Sequence, residues 1–73
     1  MVVEFTQPDY AVIIDEASST VTYIGMAEPG TSTTASSWQI RKIDTSSDTI
    51  ISYAGGTDGF TNTWASRTSY TYS

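Results

Sequence analysis

Paired carboxylates are the first residues in this sequence that could do chemistry: Asp15 beside Glu16, Asp44 four positions before Asp48, and Asp58 in a glycine-rich stretch. Two carboxylates held close together can divide the work of general acid and general base. Each of these falls where the chain reads as a turn, however, and aspartate is favoured in turns because its side chain bonds to nearby backbone. Nucleophilic catalysis needs a hydroxyl or thiol beside a base, and the sequence has neither histidine nor cysteine. Lys42 is the only amine side chain for a Ser–Lys pair, and it stands in an apolar run with no motif around it. The residues therefore point to a protein that is not an enzyme and uses no cofactor.

The oxygen-rich stretches Asp44-Thr-Ser-Ser-Asp48 and Gly55-Gly-Thr-Asp58-Gly59 have some of the ligands calcium takes, without the twelve-residue loop and its closing Glu. Calcium at Asp44, Asp48 or Asp58 stays an open alternative; no metal-ligand set is assigned. Glu28 to Ser37, EPGTSTTASS, lacks both the Gly-x-x-x-x-Gly-Lys spacing and the cation of a phosphate cradle. Aromatic residues give a sharper alternative. Trp38, Tyr53 and Trp64, with Tyr70 and Tyr72 further on, could present platforms for a glycan beside Thr, Asn and Asp. The competing reading is that both tryptophans fill the core, where each removes on the order of 200 Å² from water. With no Leu and only two Phe, something must fill that core.

Such residues would have to be positioned by strands. About a third of the chain is Ser or Thr, and strong helix formers are scarce. Thr, Val, Ile, Tyr and Trp suit a pleated surface. The expectation is an all-β fold, a small antiparallel barrel or sandwich of about five strands, forming a single domain over residues 1–73. Residues 1–9 read as a possible N-terminal arm, since Pro8 cannot donate to a ladder.

The centre of the pattern is Trp38 to Gly56, which reads as a hairpin turning at Asp44–Asp48. Before it, Tyr10–Asp15 is a near-continuous apolar run that reads as a strand buried on both faces. Thr20–Ala27 returns, with apolar side chains on both sides and Gly25 marking a bulge or a close backbone approach. Pro29-Gly30 predicts a type II turn, and the Ser/Thr tract after it resembles a flexible linker. At least one of Gly55, Gly56 and Gly59 is expected at positive φ. Phe60–Arg67 fits either a helical turn or a strand, and Ser69–Ser73 alternates as a terminal strand. Trp38 is expected to be buried with Ile40, Ile51 and Tyr53 beside it.

Size and charge bound the partners. Surface scaling gives roughly 4,400 Å² folded against about 11,500 Å² unfolded. Burial then supplies on the order of 105 kcal/mol, against roughly 110 for ordering the chain. A disulfide is excluded, so contact with another copy or a larger protein is the expected source of extra stability. The net charge of −5 argues against nucleic acid and against anionic membranes. The N-terminal residues lack a signal peptide's basic start, which suggests synthesis in the cytoplasm.

Three segments, TYIGMAEPG (Thr22–Gly30), WQIRKID (Trp38–Asp44) and FTNTWASRTSYTYS (Phe60–Ser73), resemble small β-rich proteins encoded by tailed bacteriophages. The resemblance implies a structural component of the virion, made in the host cytoplasm: a head decoration, neck, tail or fibre-associated subunit. Its partners would be itself, as a homo-oligomer, or a larger virion protein, with a glycan-binding module as the alternative. The terminal segments carry few lysines or prolines to guard a strand edge. The contact is therefore expected at Val2, Val3, Phe5, Arg67, Tyr70 and Tyr72.

Overall fold

A computed structural model describes residues 9–73. Four strands, β1 (Ala11–Asp15), β2 (Val21–Ala27), β3 (Gln39–Asp44) and β4 (Ile50–Tyr53), form one antiparallel sheet in the order of the chain. A 3₁₀ helix, Trp64–Ser69, follows. The all-β character holds, but the sheet is an open meander of four strands rather than a barrel or a five-stranded sandwich.

Local chemistry accounts for the turns. Between β1 and β2, the Ser18 hydroxyl accepts from the amides of Thr20 (3.3 Å) and Val21 (3.1 Å). At Pro29-Gly30 the Thr31 amide bonds to the Glu28 carbonyl at 3.1 Å, and Gly30 has φ +88°. That is the type II geometry the Pro-Gly pair favours. Asp44 closes the β3–β4 turn by accepting from the Ser46 amide (2.9 Å) and hydroxyl (2.7 Å). These two bonds hold the Asp44 carboxyl below its ordinary pKa. After β4, Gly55 and Gly56 both take positive φ, and Gly59 does not.

The register divides the sheet into two unlike faces. Ile13, Gly25 and Ile40 lie abreast on one face, as do Asp15, Tyr23, Lys42 and Ser52. The core lies on this face: Tyr23, Ala27, Trp38, Ile40, Ala54 and Trp64 are buried, with Ile13, Val21, Tyr70 and Tyr72 packed against them. Residues 60–73 supply its lid. Phe60–Arg67 resolves into an extended stretch and then the 3₁₀ helix. Asn62 pairs with Trp38 through two backbone bonds of 2.9 and 3.0 Å. Its buried side-chain amide donates to the Ala54 carbonyl at 3.2 Å.

Several expectations need correction. Ser69–Ser73 is not a full strand; it meets β4 through a single Ala54–Tyr72 bridge, with bonds from Ser73 to Tyr53 and from Gly55 to Thr71. The 3₁₀ helix occupies the residues that a longer strand would need. Gly25 makes no bulge, because its register with Ile13 and Ile40 is continuous; it is instead a close approach, described below. Tyr10–Asp15 is not buried on both faces: Val12 and Ile14 are 53% and 61% exposed. Ile51 and Tyr53 do not flank Trp38, since β4 presents them on the opposite face. The 28–37 loop is not linker-like. The Trp38 indole donates to the Ser32 carbonyl at 2.9 Å, the Ala65 amide donates to that of Thr33 at 3.0 Å, and the Ser36 and Thr63 hydroxyls bond at 3.0 Å.

Candidate functional site

The face opposite the core carries Val12 and Ile14 from β1, Ile24 and Met26 from β2, Ile43 from β3 and Ile51 from β4. Val12, Ile14 and Ile51 are more than half exposed, and the others are partly covered by their neighbours. Among the described residues no second layer lies on this face. Strand alternation puts these side chains here because β1 and β2 are apolar on both sides and Ile43 and Ile51 point the same way from β3 and β4, so closing one side leaves apolar side chains on the other. Exposed apolar side chains gathered on one face mark sites of contact in folded proteins.

Among the described strand residues Arg41 is the single charge on that face, abreast of Ile24 and Tyr53. Its guanidinium lies 5.5 Å from the Tyr53 ring centroid and donates to Gln39 Oε1 at 3.2 Å. Gln39 in turn donates to the Asp58 carbonyl at 2.6 Å, which fixes the pair. Arg41 Nε is buried and finds no acceptor among the described residues.

The aromatic residues expected as a glycan platform do not form one surface. Trp38 is 2% exposed and Trp64 5%; their rings pack in the core with centroids 6.2 Å apart, and Tyr53 lies across the sheet from them. The core reading of the tryptophans is the one observed.

The residues expected at an interface divide as well. Val2, Val3 and Phe5 lie outside the described residues. Arg67 is committed within the molecule: it pairs with Asp15 at 2.9 Å and lies over the Trp64 ring at 4.6 Å. The Tyr70 hydroxyl accepts from the Thr63 amide at 2.8 Å, and the Tyr72 hydroxyl donates to the Arg67 carbonyl at 2.6 Å. Burial, with Tyr23 and Tyr70 nearby, pushes the Tyr72 phenol up to about 12. These three residues hold the lid on the sheet.

Two residues that sequence reasoning passed over meet at one end of the molecule. Tyr10 and Phe60 stack with ring centroids 5.2 Å apart and planes 22° from parallel. With Glu28, Thr31 and Ser37 they line an open cleft of about 420 Å³. Fifty positions separate the two rings, so no local signal could have joined them.

Among the described residues, no three His, Cys, Asp or Glu side chains gather to hold a metal. No helix among them is long and apolar enough to cross a membrane. No protein-family model matches the chain, and comparison with curated proteins and with solved structures found no match.

Proposed function

We propose that this chain is a non-enzymatic structural subunit that works by protein–protein assembly, joining copies of itself through the open face of its sheet. One observation carries the reading: Val12, Ile14, Ile24, Met26, Ile43 and Ile51 share the face opposite the core, interrupted by Thr22, Gln39 and Arg41, and Val12, Ile14 and Ile51 are more than half exposed. Four strands about 4.8 Å apart, each about five residues long at ~3.3 Å per residue, give a footprint of roughly 300 Å². Closing two such faces on each other covers roughly 600 Å² of footprint, below the ~1,000 Å² of a stable specific interface and in the range of weak contacts. A contact of that size suits a subunit held in many copies better than a tight, solitary dimer. Facing sheets would also complete the sandwich that the single sheet lacks. Placement in a tailed-phage virion rests on the resemblance carried by Thr22–Gly30, Trp38–Asp44 and Phe60–Ser73.

Sedimentation velocity from about 1 µM to about 1 mM is the test, since a weak contact of this size falls within that range. The sedimentation coefficient should rise with concentration for the native chain, and stay at the monomer value for an Ile14→Asp, Ile51→Asp variant with an unchanged circular dichroism spectrum. A native chain that remains monomeric throughout, or an association indifferent to the two aspartates, overturns the reading.

A further inference from the structure

All three basic side chains of this protein are spent on its own aromatic rings. Arg41 lies over Tyr53 at 5.5 Å, Lys42 over Tyr72 at 5.7 Å and Arg67 over Trp64 at 4.6 Å. The Tyr10–Phe60 stack has no such partner among the described residues, though both rings are more than a third exposed. It stands instead in a cleft whose other described lining residues are the exposed Glu28, which is acidic, with Thr31 and Ser37.

We propose that this cleft is a binding site for an organic cation, the guanidinium or ammonium of an Arg or Lys side chain presented by a different protein. The face of an aromatic ring attracts a cation through its quadrupole, and a carboxylate beside it adds a direct charge partner. The rest of the molecule favours the same sign. Asp9 precedes Tyr10, Asp58 lies two positions before Phe60, and the net charge is −5. Clefts within a field of one sign concentrate ligands of the other. A neutral sugar would gain nothing from that field. It would also find one hydroxyl already engaged, because Thr31 donates to the Glu28 carbonyl at 2.7 Å. A second copy of this chain is a poor donor, since each of its Arg and Lys side chains is already seated on a ring. The partner is therefore a basic surface or segment of another protein. The inference does not rest on assembly through the sheet face, since none of Tyr10, Glu28, Thr31, Ser37 and Phe60 lies within a strand of the sheet.

The experiment follows the Tyr10 and Phe60 ring resonances of the whole protein by NMR. The probes are two capped tripeptides, Ac-Gly-Arg-Gly-NH2 and Ac-Gly-Gln-Gly-NH2, and methyl β-D-glucopyranoside. The arginine peptide should shift both rings saturably, and the glutamine peptide and the glycoside should not. Raising NaCl from about 10 mM to about 1 M, which shortens the Debye length from about 30 Å to about 3 Å, should weaken the binding. Glu28→Gln should weaken it about threefold or more, as loss of an exposed charge partner does. The salt titration needs no variant and stands alone if Glu28→Gln disturbs the fold. No ring shift, an equal response to the glutamine peptide, insensitivity to salt, or a response to the glycoside alone overturns the proposal.

Discussion

Gly25 lies directly beneath the indole of Trp64: a Cβ built on Gly25 would stand 2.5 Å from Trp64 Cε3 and 3.2 Å from Trp38 Cε3. The middle of β2 is thus flat because two tryptophans rest on it, and the core is made by the absence of a side chain as much as by the presence of large ones. Gly25→Ala must displace a buried ring, and overpacking of this kind costs about 1–3 kcal/mol. Urea unfolding should show the midpoint fall accordingly, with Trp fluorescence altered in the folded state.

Arg67 ties the far end of the lid to the first strand. It pairs with Asp15 at 2.9 Å and also covers Trp64, with both ionic partners about 30% exposed. A double-mutant cycle with Arg67→Ala and Asp15→Ala should return a coupling of about 0.5–1 kcal/mol, the size of a partly solvated pair. Arg67→Ala alone should cost more than Asp15→Ala alone, since it also removes the contact with the indole.

The glycines after β4 are not equivalent. Gly55 holds φ +63° with open space where a Cβ would go, whereas Gly59 does not have positive φ. Gly55→Ala should therefore cost about 1–2 kcal/mol through backbone strain alone. Gly55→Asn should recover part of that loss, because Asn tolerates the left-handed region. Thermal unfolding of the three variants, with Gly59→Ala as the mild control, reads the order directly.

Alkaline pH should loosen the lid through Tyr72. Its phenol is pushed up to about 12 in the folded protein, above the ordinary value of 10.0. The unfolded chain therefore gives up this proton first. The contribution to stability is full below about pH 10 and is lost as pH rises through about 12. The melting temperature should fall between these limits. Tyr72→Phe should start lower, having lost the 2.6 Å bond to the Arg67 carbonyl, and then fall less steeply with pH.

Much of the local structure was legible in the sequence. The Ser/Asp turn between the strands at 38–54, the type II turn at Pro29-Gly30 and positive φ at one or more of Gly55, Gly56 and Gly59 all follow from residues whose backbone preferences are strong and local. Burial of Trp38 followed from volume, because a chain without Leu has little else to fill a core. Choices between faces and between distant partners were not legible. β1 and β2 are apolar on both sides, so period-two alternation carries the same signal for either face and cannot say which one the lid will cover. Phe60–Arg67 fits two backbone conformations. What decides between them is the space above Gly25, into which a 3₁₀ turn places Trp64, and Asn62, which must reach both Trp38 and Ala54. The stack of Tyr10 on Phe60 arises because the sheet and its returning C-terminal segment close a loop of fifty residues. Sequence by itself determined the four strands of the sheet, its turns and the identity of the core tryptophan; the tertiary structure alone decided that Ser69–Ser73 adds no fifth strand, which face stays open and which rings meet, because those depend on contacts the chain makes only after it has folded back on itself.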